Sequence, residues 1–102
     1  MIRLKDRAAI VTGASSGVGW GITKKFCEEG AKIVACARRV DRIKALKEEC
    51  IKLGFEGEIL PVSCDVGIES DLDKVVKVCM DTYGRIDILA NIAMALGGMS
   101  KL

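Results

Sequence analysis

Ala-Ala-Ile-Val-Thr-Gly-Ala-Ser-Ser-Gly-Val-Gly occupies residues 8–19 and joins a short apolar run to three glycines. Residues 8–11 are apolar at every position, as in a parallel strand buried on both faces. The glycines follow with the spacing G-x-x-x-G-x-G, and beyond them Val18, Ile22 and Phe26 recur four residues apart, the spacing of a helix face. This stretch therefore predicts a strand, a glycine turn and a helix in direct succession.

Each glycine of the turn has its own expected role. Gly13 lets the chain turn sharply off the strand, and Gly17 removes a side chain that would keep phosphates away from the backbone. Gly19 lets the helix pack closely, with its positive N-terminal end facing an anion. The two serines of the loop offer hydroxyl donors to a phosphate or ribose. The candidate phosphate-contacting residues are Gly13, Ser15, Ser16, Gly17, Val18 and Gly19.

The glycine spacing has two other interpretations. A tight turn without any ligand has the same composition, but a strand, turn and helix within one βαβ unit favour a dinucleotide fingerprint. A phosphate-binding loop of the kinase or ATPase type is excluded because no Gly-Lys-Ser/Thr follows the last glycine.

The rest of the chain alternates in the same way. Strands are predicted at 32–37, 58–62 and 86–90, and helices at 18–29, 41–53 and from after residue 67 to about residue 83. Ser70 and Asp73 are expected to cap the third helix reciprocally, and Pro61 indicates an edge strand or a strand end. The order β-α-β-α-β-α-β predicts an α/β fold with a doubly wound parallel sheet.

Composition excludes several classes of function. The 16 basic and 14 acidic residues are interspersed and give a net charge of only +2, which argues against a nucleic acid partner. No apolar segment follows Met1 and no run approaches ~18 apolar residues, so neither secretion nor a membrane span is indicated.

The five cysteines are widely spaced, and the chain contains no histidine to complete a zinc site. An odd number without a signal peptide indicates reduced thiols in a cytoplasmic protein. Buried packing is favoured over a redox or nucleophilic role, because free cysteine is among the most buried residue types. No metal ligand is assigned.

Three motifs in register resemble the N-terminal part of the short-chain dehydrogenase/reductase family: Thr12-Gly13-x-x-x-Gly17-x-Gly19, Asp65-Val66 and residues 87–93, Asp-Ile-Leu-Ala-Asn-Ile-Ala. The resemblance implies a Rossmann fold and an NAD(P)-dependent oxidoreductase. Its reaction would be hydride transfer between a nicotinamide and a carbonyl or alcohol substrate. The complete enzyme would be a homo-oligomer.

The resemblance also implies roles for four further residues. Asp65 and Val66 would hold the adenine, Asn91 would steady the neighbouring strands, and Ala93 would lie near the ribose. The chain departs from the family pattern Asn-Asn-Ala-Gly at Ile92 and Met94. Because of these two departures, the resemblance does not by itself imply that the backbone at this edge of the site approaches the cofactor closely.

Charge indicates which dinucleotide would bind. In sites that prefer NAD, a carboxylate about 20 residues beyond the glycines accepts hydrogen bonds from the ribose. Here Arg38 and Arg39 follow the second strand instead, and a guanidinium suits the 2′-phosphate of NADP(H). The alternative is a pair of solvated arginines at the start of a helix. NADP is therefore predicted over NAD.

No catalytic residue is assigned. The family uses a serine and a Tyr-x-x-x-Lys motif downstream of the fourth strand, whereas Tyr83 is followed four residues later by Asp87. We therefore expect residues 1–102 to be an incomplete NAD(P)-binding Rossmann domain, truncated after the fourth strand, whose last strand is an apolar edge. It would be inactive alone. Two alternatives stay open, a non-catalytic dinucleotide-binding module and an interaction protein.

Overall fold

The computed structural model describes residues 3–65 and 68–92. Within them strands and helices alternate in the predicted order, and most ends lie within one residue of the predicted ones. The last strand is shifted and runs to Asn91 instead of residue 90. The elements are β1 (Ala8–Thr12), α1 (Gly17–Glu28), β2 (Lys32–Ala37), α2 (Asp41–Lys52), β3 (Glu58–Ser63), α3 (Glu69–Tyr83) and β4 (Ile88–Asn91).

The four strands form one parallel sheet with the order β3-β2-β1-β4. Ile10 of β1 pairs with Val34 of β2 on one side and with Leu89 of β4 on the other. The chain therefore winds outward from β1 in both directions, which confirms the doubly wound α/β fold. In such sheets ligands bind beyond the carboxyl ends of the strands where the winding reverses, here between β1 and β4.

Alternate residues of the central strands face two separate cores. Ala9 and Val11 of β1 pack with residues of α1 and α2, including Leu46, whereas Ala8 and Ile10 pack against α3. All five residues of β1 are buried, as the uninterrupted apolar run predicted. None of the helices in residues 3–65 and 68–92 is both long and apolar enough to cross a membrane.

Two local predictions about helices were wrong. Val18 is not on the buried face of α1, since 56% of it is exposed and the fully buried positions are Gly19, Thr23 and Cys27. At Gly19 this face of α1 lies close to the backbone of the preceding turn and has no room for a side chain. The reciprocal cap on α3 is absent: the cap position is Ile68, which makes no side-chain hydrogen bond to the helix.

Pro61 lies on the outer side of β3, an edge of the described sheet. The N–H groups of Glu58 and Cys64 donate to the carbonyl oxygens of Ala31 and Ala37 (both 2.9 Å). Because alternate residues of a parallel strand point to opposite sides, the N–H groups at 58, 60 and 62 point to β2 and positions 59, 61 and 63 face outward. Pro61 therefore removes no ladder hydrogen bond, and it leaves this edge with one donor fewer.

The opposite edge of the described sheet is β4. Its Leu89 is 62% exposed, and among the described strands β4 pairs with β1 alone, as the prediction of an apolar edge requires. Asp87 ties the start of this strand to β1, since its N–H donates to the Ala8 carbonyl oxygen (2.8 Å) and its Oδ2 accepts from the Ala8 N–H (2.9 Å). This side-chain bond explains why β4 begins at Ile88 instead of the predicted residue 86.

The charges around Asp87 make stability sensitive to acid. The Arg85 guanidinium, the Ala8 N–H and, more weakly, Arg7 hold the pKa of Asp87 below its usual 3.8. A carboxylate with a lowered pKa in the folded state stabilises the fold above its unfolded pKa. It loses that contribution as the pH falls through the folded value.

We therefore expect Asp87→Asn to flatten the acid limb of the stability profile. Below about pH 4, the urea midpoint of the unchanged chain should fall more steeply than that of the variant, because the amide has no proton to take up. Asp81→Asn, which alters an exposed carboxylate of α3, is the matched control and should retain the steep limb. Identical pH profiles for Asp87→Asn and the unchanged chain would contradict this role for Asp87.

Candidate functional site

The glycine loop lies at the carboxyl end of β1, beside the ends of both neighbouring strands. Gly13 has φ 66°, a left-handed conformation that L side chains rarely adopt, and it turns the chain off the strand as predicted. The N–H of Ala14 donates to the Cys36 carbonyl oxygen at the end of β2 (3.1 Å). The loop is therefore fixed to the sheet before α1 begins.

Ser16 caps α1. Its Oγ accepts from the Gly19 N–H (3.2 Å), and its hydroxyl donates to the Gly13 carbonyl oxygen (2.8 Å). The Ser16 hydroxyl thus holds the loop and the helix start together, while Ser15 lies half-buried beside it. Among the described residues no hydrogen bond uses the N–H groups of Gly17 and Val18, which belong to the first turn of α1.

Gly17 and Gly19 occupy different surroundings although only one residue separates them. A Cβ on Gly19 would overlap the Gly13 carbonyl oxygen and lie 2.8 Å from the carbonyl carbon of Gly13, so the close approach of α1 to the turn requires glycine. A Cβ on Gly17 would meet no atom within 4 Å, and Gly17 has no positive φ. The protein's own packing therefore gives no reason for glycine at position 17.

Arg38 and Asp65 follow β2 and β3 and lie at the same edge of the sheet. The Arg38 Nε is 3.7 Å from Asp65 Oδ2, with 80% of the Arg38 side chain exposed and 36% of that of Asp65. The Ser63 hydroxyl donates to the Arg38 carbonyl oxygen (3.1 Å), which joins the two strand ends. Arg39 is exposed next to Arg38. The structure thus brings a long, exposed cationic side chain and an acceptor carboxylate together at the edge of the sheet where the glycine loop lies.

Asn91 ends β4 directly beside β1. The hydroxyl of Thr12 donates to Asn91 Oδ1 at 2.6 Å, so this amide joins two adjacent strand ends next to the glycine loop. This contact agrees with the expectation that Asn91 steadies neighbouring strands. Ile92 is half-buried and packs against the core on the side of α1 and α2. Val66, Ala93 and Met94 lie outside the described residues.

Sequence reasoning missed two contacts of the site. Asp71 Oδ2 accepts from the Asp65 N–H (2.9 Å) and so fixes the chain where it leaves β3. Thr12 was recognised only as part of a motif, whereas its hydroxyl orients Asn91. A threonine at the end of a buried strand is a detectable signal, but nothing in the sequence relates Asp71 to Asp65. In the part of the chain described, no group of three or more Cys, Asp or Glu side chains could hold a metal ion.

Tyr83 is remote from this edge. It lies at the end of α3, packs against the core on that side of the sheet, and has the Lys32 Nζ 5.8 Å from its ring centroid. Burial, followed by the nearby Glu58 carboxylate, raises the pKa of Tyr83 to about 12. The expectation that this tyrosine packs at the end of the third helix is confirmed.

Comparison with known proteins places this geometry in a family. Residues 7–101 match the family model described as short chain dehydrogenase. Human dehydrogenase/reductase SDR family member 11 is 37% identical over 93 residues, an alignment that covers 91% of this chain and 36% of that protein. The chain thus spans about a third of the length of the curated relatives it matches.

Two solved structures contain dinucleotides of different kinds. L-sorbose reductase from Gluconobacter frateurii, complexed with NADPH and L-sorbose, is 36% identical with a TM-score of 0.76 over 86% of this chain and 33% of that one. A 7α-hydroxysteroid dehydrogenase complexed with NADH and 7-oxo glycochenodeoxycholic acid is 31% identical with a TM-score of 0.77. That alignment covers 86% of this chain and 34% of the dehydrogenase.

Proposed function

The chain belongs to the short-chain dehydrogenase family, and on this premise we propose that its glycine loop binds the diphosphate of a nicotinamide dinucleotide. It would be the cofactor-binding part of an oxidoreductase that transfers hydride between that cofactor and a carbonyl or alcohol substrate. We propose that the domain is completed by later residues, which would supply the catalytic serine, tyrosine and lysine and the surfaces of a homo-oligomer. The five unpaired, buried cysteines favour the cytoplasm as its compartment.

The observation that carries this proposal is the open space at Gly17. The absence of any atom within 4 Å of a Cβ there, next to the free N–H groups of the first turn of α1, is what a phosphate-binding position requires. The positive end of the α1 dipole favours an anion at the same place. Asp65 and Asn91 flank the loop, where an adenine and a ribose would extend from the diphosphate.

NADP(H) is the dinucleotide that the charges favour. Arg38 and Arg39 stand where an NAD-specific site presents a carboxylate, and Arg38 is exposed enough to turn from Asp65 to a 2′-phosphate. The exchange would cost little, because a contact of 3.7 Å made by an arginine side chain that is 80% exposed contributes weakly. A bound 2′-phosphate would offer Arg38 a bidentate, charge-assisted partner in place of that contact.

The test is calorimetric titration of the 102-residue chain with NADPH, NADH, 2′,5′-ADP and 5′-AMP. We expect NADPH to bind more tightly than NADH, and Arg38→Asp to weaken NADPH and 2′,5′-ADP by about 10-fold or more through loss of a charge-assisted contact. Binding of NADH and 5′-AMP should change little.

Arg42→Asp is the matched control, since it makes the same charge change on an exposed position of α2. Its affinities for the four ligands should change only by the nonspecific effect of replacing a positive charge with a negative one. An unchanged preference for the 2′-phosphate in Arg38→Asp would contradict the assignment to NADP(H). Absence of binding by all four ligands would contradict the dinucleotide proposal itself.

A second candidate function is a dinucleotide-binding module without catalysis. The observation behind it is that Tyr83, the one tyrosine of the chain, packs against the core from the end of α3 and so suits a structural role. Both candidates predict binding by the glycine loop. They differ in the gene beyond the codon for Leu102, where an in-frame continuation encoding Tyr-x-x-x-Lys would favour the oxidoreductase and a stop codon the module.

A further inference from the structure

The connection from β3 to α3 begins with the candidate adenine residue, Asp65. The sheet holds the chain as far as Cys64, whose N–H donates to the Ala37 carbonyl oxygen at the end of β2 (2.9 Å). Asp65 follows directly, and its Oδ2 is 3.7 Å from Arg38 Nε at the edge of the sheet where the glycine loop lies. The strand ladder therefore ends one residue before Asp65, and other contacts fix the backbone there.

The backbone N–H and carbonyl groups of Asp65 are both held from the start of α3. The N–H donates to Asp71 Oδ2 (2.9 Å), and the carbonyl oxygen accepts from the Ile68 N–H (3.0 Å). The N–H of Asp71 donates in turn to the Ile68 carbonyl oxygen (3.0 Å). One carboxylate thus ties the residue that follows the ladder of β3 to the first turn of the next helix.

The hydrogen bond made by Asp71 differs from a helix cap. The cap position of α3 is Ile68, which makes no side-chain hydrogen bond to the helix. Asp71 lies in the first turn of α3, where the positive end of the helix dipole favours a carboxylate. Its Oδ2 accepts the N–H of a residue six positions earlier, outside the helix, in a charge-assisted bond. The Asp71 side chain therefore orders the candidate site as well as the helix start.

We propose that Asp71 is a positioning residue for the adenine of the cofactor and acts through Asp65. The inference rests on the proposed dinucleotide function, in which the Asp65 carboxylate would accept a hydrogen bond from the adenine 6-amino group. Holding the Asp65 N–H fixes the backbone from which that carboxylate projects, so the acceptor is in place before the ligand arrives. Such preorganisation raises affinity because less conformational freedom is lost on binding.

The diphosphate end of the site depends on other contacts. The glycine loop is held by the Ala14 N–H on the Cys36 carbonyl oxygen and by the Ser16 hydroxyl, and these bonds do not involve α3. Removal of the Asp71 acceptor should therefore weaken recognition of adenine and leave recognition of the diphosphate intact. A general loss of structure would weaken both together. Two dinucleotides that differ only at the 6-position of the purine distinguish these effects.

The experiment titrates the 102-residue chain and its variants by calorimetry with NADPH and with reduced nicotinamide hypoxanthine dinucleotide phosphate. In the second ligand an oxo group replaces the 6-amino group. We expect the unchanged chain to prefer NADPH by about 10-fold or more, the effect of one hydrogen bond to a charged group. Asp71→Ala should lose most of this preference, while its affinity for the hypoxanthine dinucleotide stays close to that of the unchanged chain.

Three further variants separate the hydrogen bond from the charge. Asp71→Asn retains an acceptor oxygen and should keep more of the preference than Asp71→Ala. Asp71→Glu keeps the charge but moves the carboxylate by one methylene group, so it should also lower the preference, and it decides the proposal if Asp71→Ala fails to fold. Asp73→Ala is the matched control, because it removes an exposed carboxylate from the same helix and should leave the preference unchanged.

The outcomes for the two proposals are distinguishable. An undiminished preference for NADPH in folded Asp71→Ala would overturn the role of Asp71 and leave dinucleotide binding standing. An equal loss of preference in Asp73→Ala would do the same, since it would assign the effect to charge alone. Absence of any preference in the unchanged chain would remove the adenine contact of Asp65 and with it the role of Asp71. Binding of neither dinucleotide would overturn both proposals.

Discussion

Gly17→Ala is expected to remove most of the affinity for NADPH while leaving the free energy of unfolding unchanged or slightly higher. The added methyl group would occupy the space in front of the first N–H groups of α1, where the structure holds no atom within 4 Å. Loss of one charge-assisted hydrogen bond costs about 1.5–3 kcal/mol, which corresponds to about a 10- to 100-fold weaker dissociation constant. The chain itself should tolerate the methyl group, because alanine is a better helix former than glycine.

Gly21→Ala is the matched control for this prediction. Gly21 lies in the same helix and a Cβ there also meets no atom within 4 Å, but the position is one turn beyond the candidate phosphate site. This variant should bind NADPH like the unchanged chain and should gain roughly 0.5–1 kcal/mol of stability. Calorimetry and urea unfolding on all three chains provide the measurement. Equal NADPH affinity for Gly17→Ala and Gly21→Ala would show that no ligand approaches Gly17.

Gly19→Ala is expected to produce the largest loss of stability. Its Cβ would overlap the Gly13 carbonyl oxygen and lie within 3.0 Å of the Ala14 Cα, and both contacts are with backbone that cannot move aside as a side chain would. Overpacking of a fitted interior costs typically about 1–3 kcal/mol. Here the displacement would also disturb the Ser16 cap, because the Gly19 N–H is the donor to Ser16 Oγ.

The measurement is the free energy of unfolding from urea titration followed by circular dichroism. Gly21→Ala again serves as the control, since it makes the same substitution in the same helix without a neighbouring atom. The predicted order of stability is Gly21→Ala above the unchanged chain and Gly19→Ala well below it. A wild-type midpoint for Gly19→Ala would mean that α1 can move away from the glycine turn at little cost.

Gly17 and Gly19 show which features of the site local sequence can predict and which it cannot. The spacing G-x-x-x-G-x-G correctly indicated a sharp turn at Gly13 and close packing at Gly19. The sequence could not distinguish a glycine required by packing from one that faces empty space, because that depends on atoms of the turn folding back over α1. The site roles of Arg38 and Asp65 likewise stay predictions, although the structure places them 3.7 Å apart.

The order of strands and helices, the family and the position of the glycine loop could all be predicted from the sequence alone. These follow from apolar periodicity and from glycine, whose conformational freedom is a local property. Three features appear only in the folded molecule: Pro61 faces outward on an edge strand, Asp87 joins β1 to β4, and Cys27 and Cys50 line one groove. Such contacts join residues distant in the chain, and their energies depend on the packing of the whole sheet.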